Sequence, residues 1–430
     1  MDGETGAQVQ KKSVRIVPIT PSRSMLKTFE GVVPFVKKLA NQTYSIDNWV
    51  FKLHYRLTFF ALLTSTVLVC SRQYIGDHIQ CISDKGVPGH VIDTYCFFTS
   101  TFTLIKDLDP ELLDKGGLPH PGVGEYGIHS KDEVKHHAYY QWVPFVLFGQ
   151  ALMFYASHYV WKKLEGGRLK YLVDGLQLAA FSLQEKEMGV GGKNIPTRAQ
   201  KEDKIRVVRK AFLDRLYISG SWSMHLILCE CLNLLNVLLQ IYITDRFLNG
   251  QFMSLGANVW RQGLESSVDP LDVVFPKVTK CTFHKYGPSG SIQWHDAMCV
   301  MALNVINDKI YTFLWFWYIF LLVATGLALA WRLLTILLHA RSKSFNKLVF
   351  STTCPGKINP WDVLTVSRYC SYTDWLFLKY LSKNLDGLVF REIIIGLAEE
   401  LEDDLDSAKK SLMSDQLSNP EAGLPEYKKD

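Results

Sequence analysis

Apolar residues fall in four long blocks along this chain, at residues 57–75, 139–161, 222–243 and 309–339, with polar and charged sequence between them. The blocks lack the one-sided stripe of a helix resting on a soluble core. About 20 helical residues rising about 1.5 Å each cover the roughly 30 Å of a bilayer interior, so each block is predicted to be a membrane-spanning helix. The second block is the clearest, because no Asp, Glu, Lys or Arg occurs between Gln141 and Trp161. Tyr139, Tyr140 and Trp142 at one end, and Tyr155, Tyr159 and Trp161 at the other, are expected in the headgroup layers. Pro144 lies inside this block. Its missing N–H and its clash with the preceding turn predict a kink that leaves the Tyr140 carbonyl without a helical donor.

Four crossings place both ends of the chain on one side. Lys and Arg number 13 in residues 162–221, but 5 in 77–140 and 5 in 245–308. The positive-inside rule therefore puts the termini and the 162–221 segment in the cytoplasm and the other two loops outside. The formal net charge of +5 reports this topology. No basic stripe with interleaved aromatics marks a nucleic-acid surface. Around the spans we expect a cytosolic leader at 1–24, an amphipathic helix and pre-membrane segment at 25–56, outer loops at 76–138 and 244–308, a cytoplasmic loop at 162–221, a cytoplasmic helical domain at 340–400 and a disordered acidic tail at 401–430. The fold class is an all-α membrane protein carrying a small α/β lobe, since the second outer loop is too long for a plain connection. Lys52 and Arg56 are expected to face cytosol or headgroups, and Arg332 with Arg341-Ser342-Lys343 to mark the inner edge of the fourth span.

In the third block Glu230, Asn233, Asn236 and Gln240 recur at three- and four-residue intervals and share one helical face. Such a face is expected to bond to other helices of the same subunit rather than meet lipid. Thr58, Thr64, Ser65 and Thr66 make the first block hydroxyl-rich, which serves helix packing or lines a hydrated path. Cys81 and Cys96 lie in the first outer loop and Cys281 and Cys299 in the second, an even set expected to form bridges; Cys70, Cys229, Cys231, Cys354 and Cys370 are expected as thiols. Sequence alone permits three pairings of four cysteines.

Two motifs suggest chemistry that their context denies. Gly122-Val123-Gly124-Glu125-Tyr126-Gly127 has dinucleotide-loop spacing but follows His120-Pro121 and not a strand. His129, Glu133 and His136 have the spacing of metal ligands on a helix, yet no further strong ligand joins them, so a solvated face is expected. No cofactor and no metal are therefore expected. The histidines of this loop do predict a pH response of the outer surface.

The heptapeptide Tyr139-Tyr140-Gln141-Trp142-Val143-Pro144-Phe145 resembles the signature of the innexins, the gap-junction channel subunits of invertebrates, at the same place relative to a second span. Asp47 to Arg56 is similar to the innexin pre-membrane segment, and Ser71-Arg72-Gln73-Tyr74-Ile75-Gly76-Asp77 to the family's outer-mouth segment. The resemblance runs from about Met25 to about Glu400. It implies a ring oligomer of this chain, an octamer in the known family architecture, docked to a ring on the neighbouring cell, with other innexins as further partners. It also implies plasma-membrane cell junctions as the location, among membrane lipids, and bridges joining Cys81 to Cys299 and Cys96 to Cys281. Met25, Leu26 and Phe29 would belong to a helix folded into the channel mouth, and that helix and Pro144 would gate. The same amphipathic segment also fits an interfacial helix. Arg72 and Asp77 would shape the field at a constriction, or pair at a subunit contact. Transport through such a ring is passive, and no acid/base or nucleophile cluster shares a common depth, so no enzyme is expected. Two other readings are an unpaired plasma-membrane channel that releases small molecules and a four-span adhesion or scaffold protein.

Overall fold

The computed structural model describes residues 44–75, 79–83, 86–108, 120–126, 132–174, 197–214, 221–262, 270–339, 341–353 and 370–418, together with 176, 188–190, 193–195, 363 and 366–367. Helix α1 (Trp49–Lys52) starts at Asn48, whose side chain accepts from the Phe51 N–H, and passes through a π turn (Leu53–Thr58) into α2 (Phe59–Ile75). Strand β1 (Gln80–Ser83), α3 (Gly89–Thr99), β2 (Thr101–Leu104) and β3 (Val134–His137) lead to α4 (Val143–Glu165) and α5 (Arg168–Val173). A short hairpin, β4 (Met188–Val190) and β5 (Lys193–Ile195), precedes α6 (Arg198–Leu213) and α7 (Ser221–Phe247). Then come α8 (Phe252–Gln262), α9 (Pro270–Val274), β6 (Val278–Tyr286), β7 (Ile292–Val300), α10 (Asn304–Leu338), α11 (Lys343–Thr353), α12 (Tyr372–Asn384) and α13 (Gly387–Ser418).

Among the described residues four helices are long and apolar enough to cross a membrane: Trp49–Tyr74, Val143–Glu165, Ser221–Phe247 and Asn304–Leu338. They pack in chain order, α2 on α4, α4 on α7 and α7 on α10, and α10 returns to α1 and α2. Leu62, Leu147, Phe154, Val237, Leu314 and Tyr318 fill the space between them. The first of these helices begins at Trp49 and not at residue 57, because Phe51, Leu53 and Tyr55 are buried and draw the pre-membrane segment into the bundle. Lys52 turns outward to the Ser45 hydroxyl at 2.8 Å, and the Arg56 guanidinium lies 5.5 Å from the centre of the Tyr55 ring.

The second spanning helix corrects the expectation for Pro144. Tyr139–Gln141 is a separate 3₁₀ turn, and the α-helix starts at Val143 with proline in its first turn. An N–H there has no intrahelical partner to lose, so Pro144 begins the helix and does not kink it. Trp161 also departs from expectation. It is fully buried, and its indole N–H donates to the Ile46 carbonyl at 3.0 Å, tying α4 to the chain ahead of α1.

At one end of the bundle the segment between α2 and α4 and the segment between α7 and α10 combine in a five-stranded antiparallel sheet, ordered β1-β7-β6-β2-β3. The β6–β7 hairpin sits in the middle, with Cys81 opposite Cys299 and Phe102 opposite Lys280 in the register. Helix α3 covers β1 and β6. At the other end α12 starts with a Ser371/Asp374 capping box, and Leu376, Tyr380, Leu381, Ile393, Ile394 and Leu397 are all buried, as their spacing predicts. The charged helix α6 lies on α13 through Lys201 to Glu392 at 2.8 Å and Arg209 to Glu400 at 3.4 Å. Helix α13 continues to Ser418, past the boundary where a disordered tail is expected. Good helix formers and an Asp406/Lys410 spacing of one turn favour its propagation.

Candidate channel-forming site

The polar face of α7 turns into the subunit, Glu230 toward α10 and Gln240 toward Met153 of α4. Arg332 donates from Nε to Glu230 Oε2 at 2.8 Å and from Nη2 to Oε1 at 2.5 Å, and Asn48 Nδ2 donates to the same Oε1 at 2.8 Å. Both charged side chains are 6% exposed, so the two-pronged pair is sealed inside the subunit. The carboxylate of α7 thus turns Arg332 into the subunit and away from solvent. Further along, His54 Nε2 lies 2.9 Å from Thr325 Oγ1, and the Trp317 indole donates to Thr58 Oγ1 at 2.9 Å. Gln150 donates to Thr244 at 2.8 Å, and Gln240 donates to Asn236 at 3.1 Å. These bonds satisfy polar groups that would otherwise face hydrocarbon.

The hydroxyls of the first span divide. Thr58, Ser65 and Thr66 donate to the carbonyls of Leu53, Ala61 and Leu62, which turns them toward their own helix. Thr64 remains exposed, on the side of α2 that also presents Leu68 and Arg72. A buried group that sequence reasoning missed joins α1 to α4. The His158 ring stacks on Tyr55 with centroids 3.6 Å apart, and its Nδ1 lies 3.5 Å from the Asp47 carboxylate. The only signal for it was a histidine in an otherwise charge-free apolar block.

In the lobe, Cys81 is bonded to Cys299 and Cys96 to Cys281, the same pairs that the resemblance implies. The sulfur atoms of Cys81, Cys96 and Cys299 lie within 4.8 Å of one another, so the two bridges are neighbours and not a thiolate metal set. His137 is buried beside Thr103 Oγ1 at 2.8 Å. Burial pushes its imidazole down to about 4, with Lys135 and His136 adding to the effect. That places its charge change well below neutral pH, against the expected response for this histidine. His136 lies on strand β3, where alternating faces break the helical metal spacing; His129 lies outside the described residues. Gly122 has φ +72°, and its N–H donates to the Asp107 carbonyl at 2.8 Å while its carbonyl accepts from Leu104 of β2 at 2.9 Å, so it shapes a turn against that strand; Gly127 lies outside the described residues.

The family model described as Innexin matches residues 47–401. This chain belongs to the innexin family. Among relatives of this innexin, Innexin inx7 of Drosophila melanogaster is 48% identical over 378 residues, covering 87% of this chain and 85% of that one. Innexin inx2 of Schistocerca americana is 43% identical over 371 residues, with 83% and 94% covered. Innexin shaking-B of Drosophila melanogaster is 35% identical over 382 residues, with 88% and 95% covered.

In this innexin the YYQWVPF residues act as a joint between lobe and span. The Tyr140 hydroxyl donates to the Phe97 carbonyl at 3.1 Å, and Gln141 Nε2 donates to the same oxygen at 2.6 Å, which closes the C-terminal end of α3. Val143 and Pro144 are buried, while Trp142 and Phe145 are exposed beside Gln73, Tyr74 and Phe98 around an open hollow of about 430 Å³. Arg72 is exposed in the last turn of α2. Asp77, Met25, Leu26 and Phe29 lie outside the described residues.

Proposed function

We propose that this innexin is the subunit of a gap-junction channel, in which rings of the chain dock end to end between cells and pass ions and small metabolites with weak selection. The supporting observation is the cystine-tied sheet that joins both inter-span segments at one end of the four-helix bundle, in a member of a channel family. The interior of that bundle is filled by side chains, so a hydrated path has to be enclosed between subunits. The Lys and Arg counts orient the lobe outward and α6, α12 and α13 to the cytoplasm. On this reading the Thr64 and Arg72 side of α2 faces the pore, and the ring repeats the Arg72 charge around its axis. The family resemblance argues for eight copies.

Paired cells lacking other junction proteins test the proposal. Junctional current between pairs that both express the chain is expected. Dye uptake by single cells with no current between pairs would favour the unpaired channel, and absence of both, with protein present at the surface, would leave the adhesion reading.

A further inference from the structure

Where α1 and α10 approach α12, the surface opens into an apolar groove of about 670 Å³. Its wall along α10 runs from Phe320 to Arg332, roughly 18 Å at 1.5 Å per residue. Leu327 on this wall is 67% exposed, and Trp49 across from it is 64% exposed. Trp331 lines the polar end of the groove, and indoles favour the headgroup layer.

That end is cationic. Lys379 and Lys383 of α12 line it together with Arg332. Arg332 is committed to Glu230, Lys383 donates to the Asp47 carbonyl at 3.1 Å, and Lys52 holds Ser45. The Lys379 ammonium lies over two ring faces, with the Trp331 and Trp375 centroids 6.0 and 5.9 Å from it. Arg332, Lys379, Lys383 and Lys52 stand against Glu230 and Asp47, four cations to two carboxylates, which leaves an excess of two positive charges. Burial pushes the Lys379 ammonium down to about 8, with Arg332 and Lys383 adding to the effect and Glu230 opposing it.

We propose that this groove holds one anionic phospholipid per subunit, its acyl chain laid along α10 and its phosphate between Lys379 and Lys383. Charge selects the occupant. A neutral chain would satisfy the wall but leave the two lysines uncompensated, and a free anion would leave the wall exposed. Of the function proposed above, the inference needs only that this end face the cytoplasmic leaflet, where anionic lipids are concentrated.

The test uses the delipidated full-length protein in detergent and phosphatidylserine carrying a photoactivatable acyl chain, with the labelled peptides mapped. Label on α10 between Val323 and Trp331 is expected. Binding should weaken about thirty-fold in Lys379→Gln/Lys383→Gln, at about fivefold per lysine. Leu327→Trp keeps both lysines and fills the groove at an exposed position, so it should also lose the label without loss of folded protein. Phosphatidylcholine with the same chain should label at least tenfold less, and soluble glycerophosphoserine at equal concentration should not compete. Equal labelling by phosphatidylcholine, or unchanged binding in the lysine variant, would overturn the site in favour of ordinary annular lipid. Competition by glycerophosphoserine would overturn it in favour of a soluble-anion site. No label in the wild type, with Leu327→Trp breaking the oligomer, would assign the groove to a contact between copies. Junctional currents recorded in parallel keep the two claims apart: currents without label sink the lipid site alone, and label without currents sinks the channel reading alone.

Discussion

Removing one member of the Glu230–Arg332 pair should harm the protein far more than removing both. Arg332→Met strips the guanidinium and leaves a buried carboxylate whose one remaining donor among the described bonds is Asn48, at 2.8 Å. An uncompensated charge of this kind destabilises by about 3–5 kcal/mol. Glu230→Met, the mirror variant, strands the guanidinium and should fall in the same range. With both changed, no buried charge remains, and the residual loss is the Asn48 amide left without its acceptor, about 1–3 kcal/mol. Replacing a buried pair by apolar side chains is itself neutral to favourable by about 1–4 kcal/mol, so the double variant should lie within about 2 kcal/mol of the wild type. The coupling read from the cycle is then several kcal/mol. The assay is a double-mutant cycle on purified protein in a single detergent, following apparent unfolding by size exclusion and tryptophan fluorescence. If each single variant stays within about 1 kcal/mol of the wild type, or the double equals the sum of the singles, the two side chains do not neutralise each other and the reasoning is wrong.

Pro144→Ala should leave both stability, within about 1 kcal/mol, and conductance–voltage curves unchanged, because proline in a first turn removes no helical bond; an altered voltage response would show that Pro144 acts beyond starting the helix. The lobe should lose stability on acidification between about pH 6.5 and 4: His137 is held down at about 4, so the unfolded chain binds the proton first and stability present above 6.5 drains away by roughly 3 kcal/mol. Unfolding midpoints at pH 7 and 4.5 check this, and His137→Gln, which has no proton to bind, should flatten the dependence. Cys96→Ser opens a bridge between residues 185 apart, worth about 5 kcal/mol in the chain-entropy picture, and should abolish junctional current. Normal currents from that variant would show that the lobe holds without it.

The four crossings were legible because hydrocarbon tolerates almost no charge, which makes long apolar blocks stand out in sequence. The polar face of α7 was legible for a similar reason, since Glu230 and Gln240 share a periodicity that lipid forbids. The partner of Glu230 was not, because Arg332 is 102 residues away and nothing local marks it. The start of the first span was misplaced because Lys52, His54 and Arg56 interrupt the apolar run, whereas the fold gives Lys52 the Ser45 hydroxyl, lays Arg56 beside the buried Tyr55 ring and gives His54 a hydroxyl in α10. Pro144 was misread because hydrophobicity locates a span but not the helix terminus inside it. The strands of the lobe are short, and their pairing depends on contacts between distant segments that no local pattern encodes. The cation cluster on α12 was invisible for the same reason, as Lys379 and Lys383 look like ordinary solvated positions until α10 is laid beside them.

The interleaved strand order has a consequence for biosynthesis. Strands β6 and β7 are made after β1, β2 and β3, yet they sit between β1 and the β2–β3 pair, so β1 has no strand partner and the β2–β3 pair no sheet to join until the ribosome has passed residue 300. With the lobe outside, as proposed above, Cys81 and Cys96 would wait in an oxidising compartment for Cys299 and Cys281, open to mispairing with each other. On that reading the lobe closes late, and a product that ends after the second helix lacks both the two strands and the two cysteines that complete it.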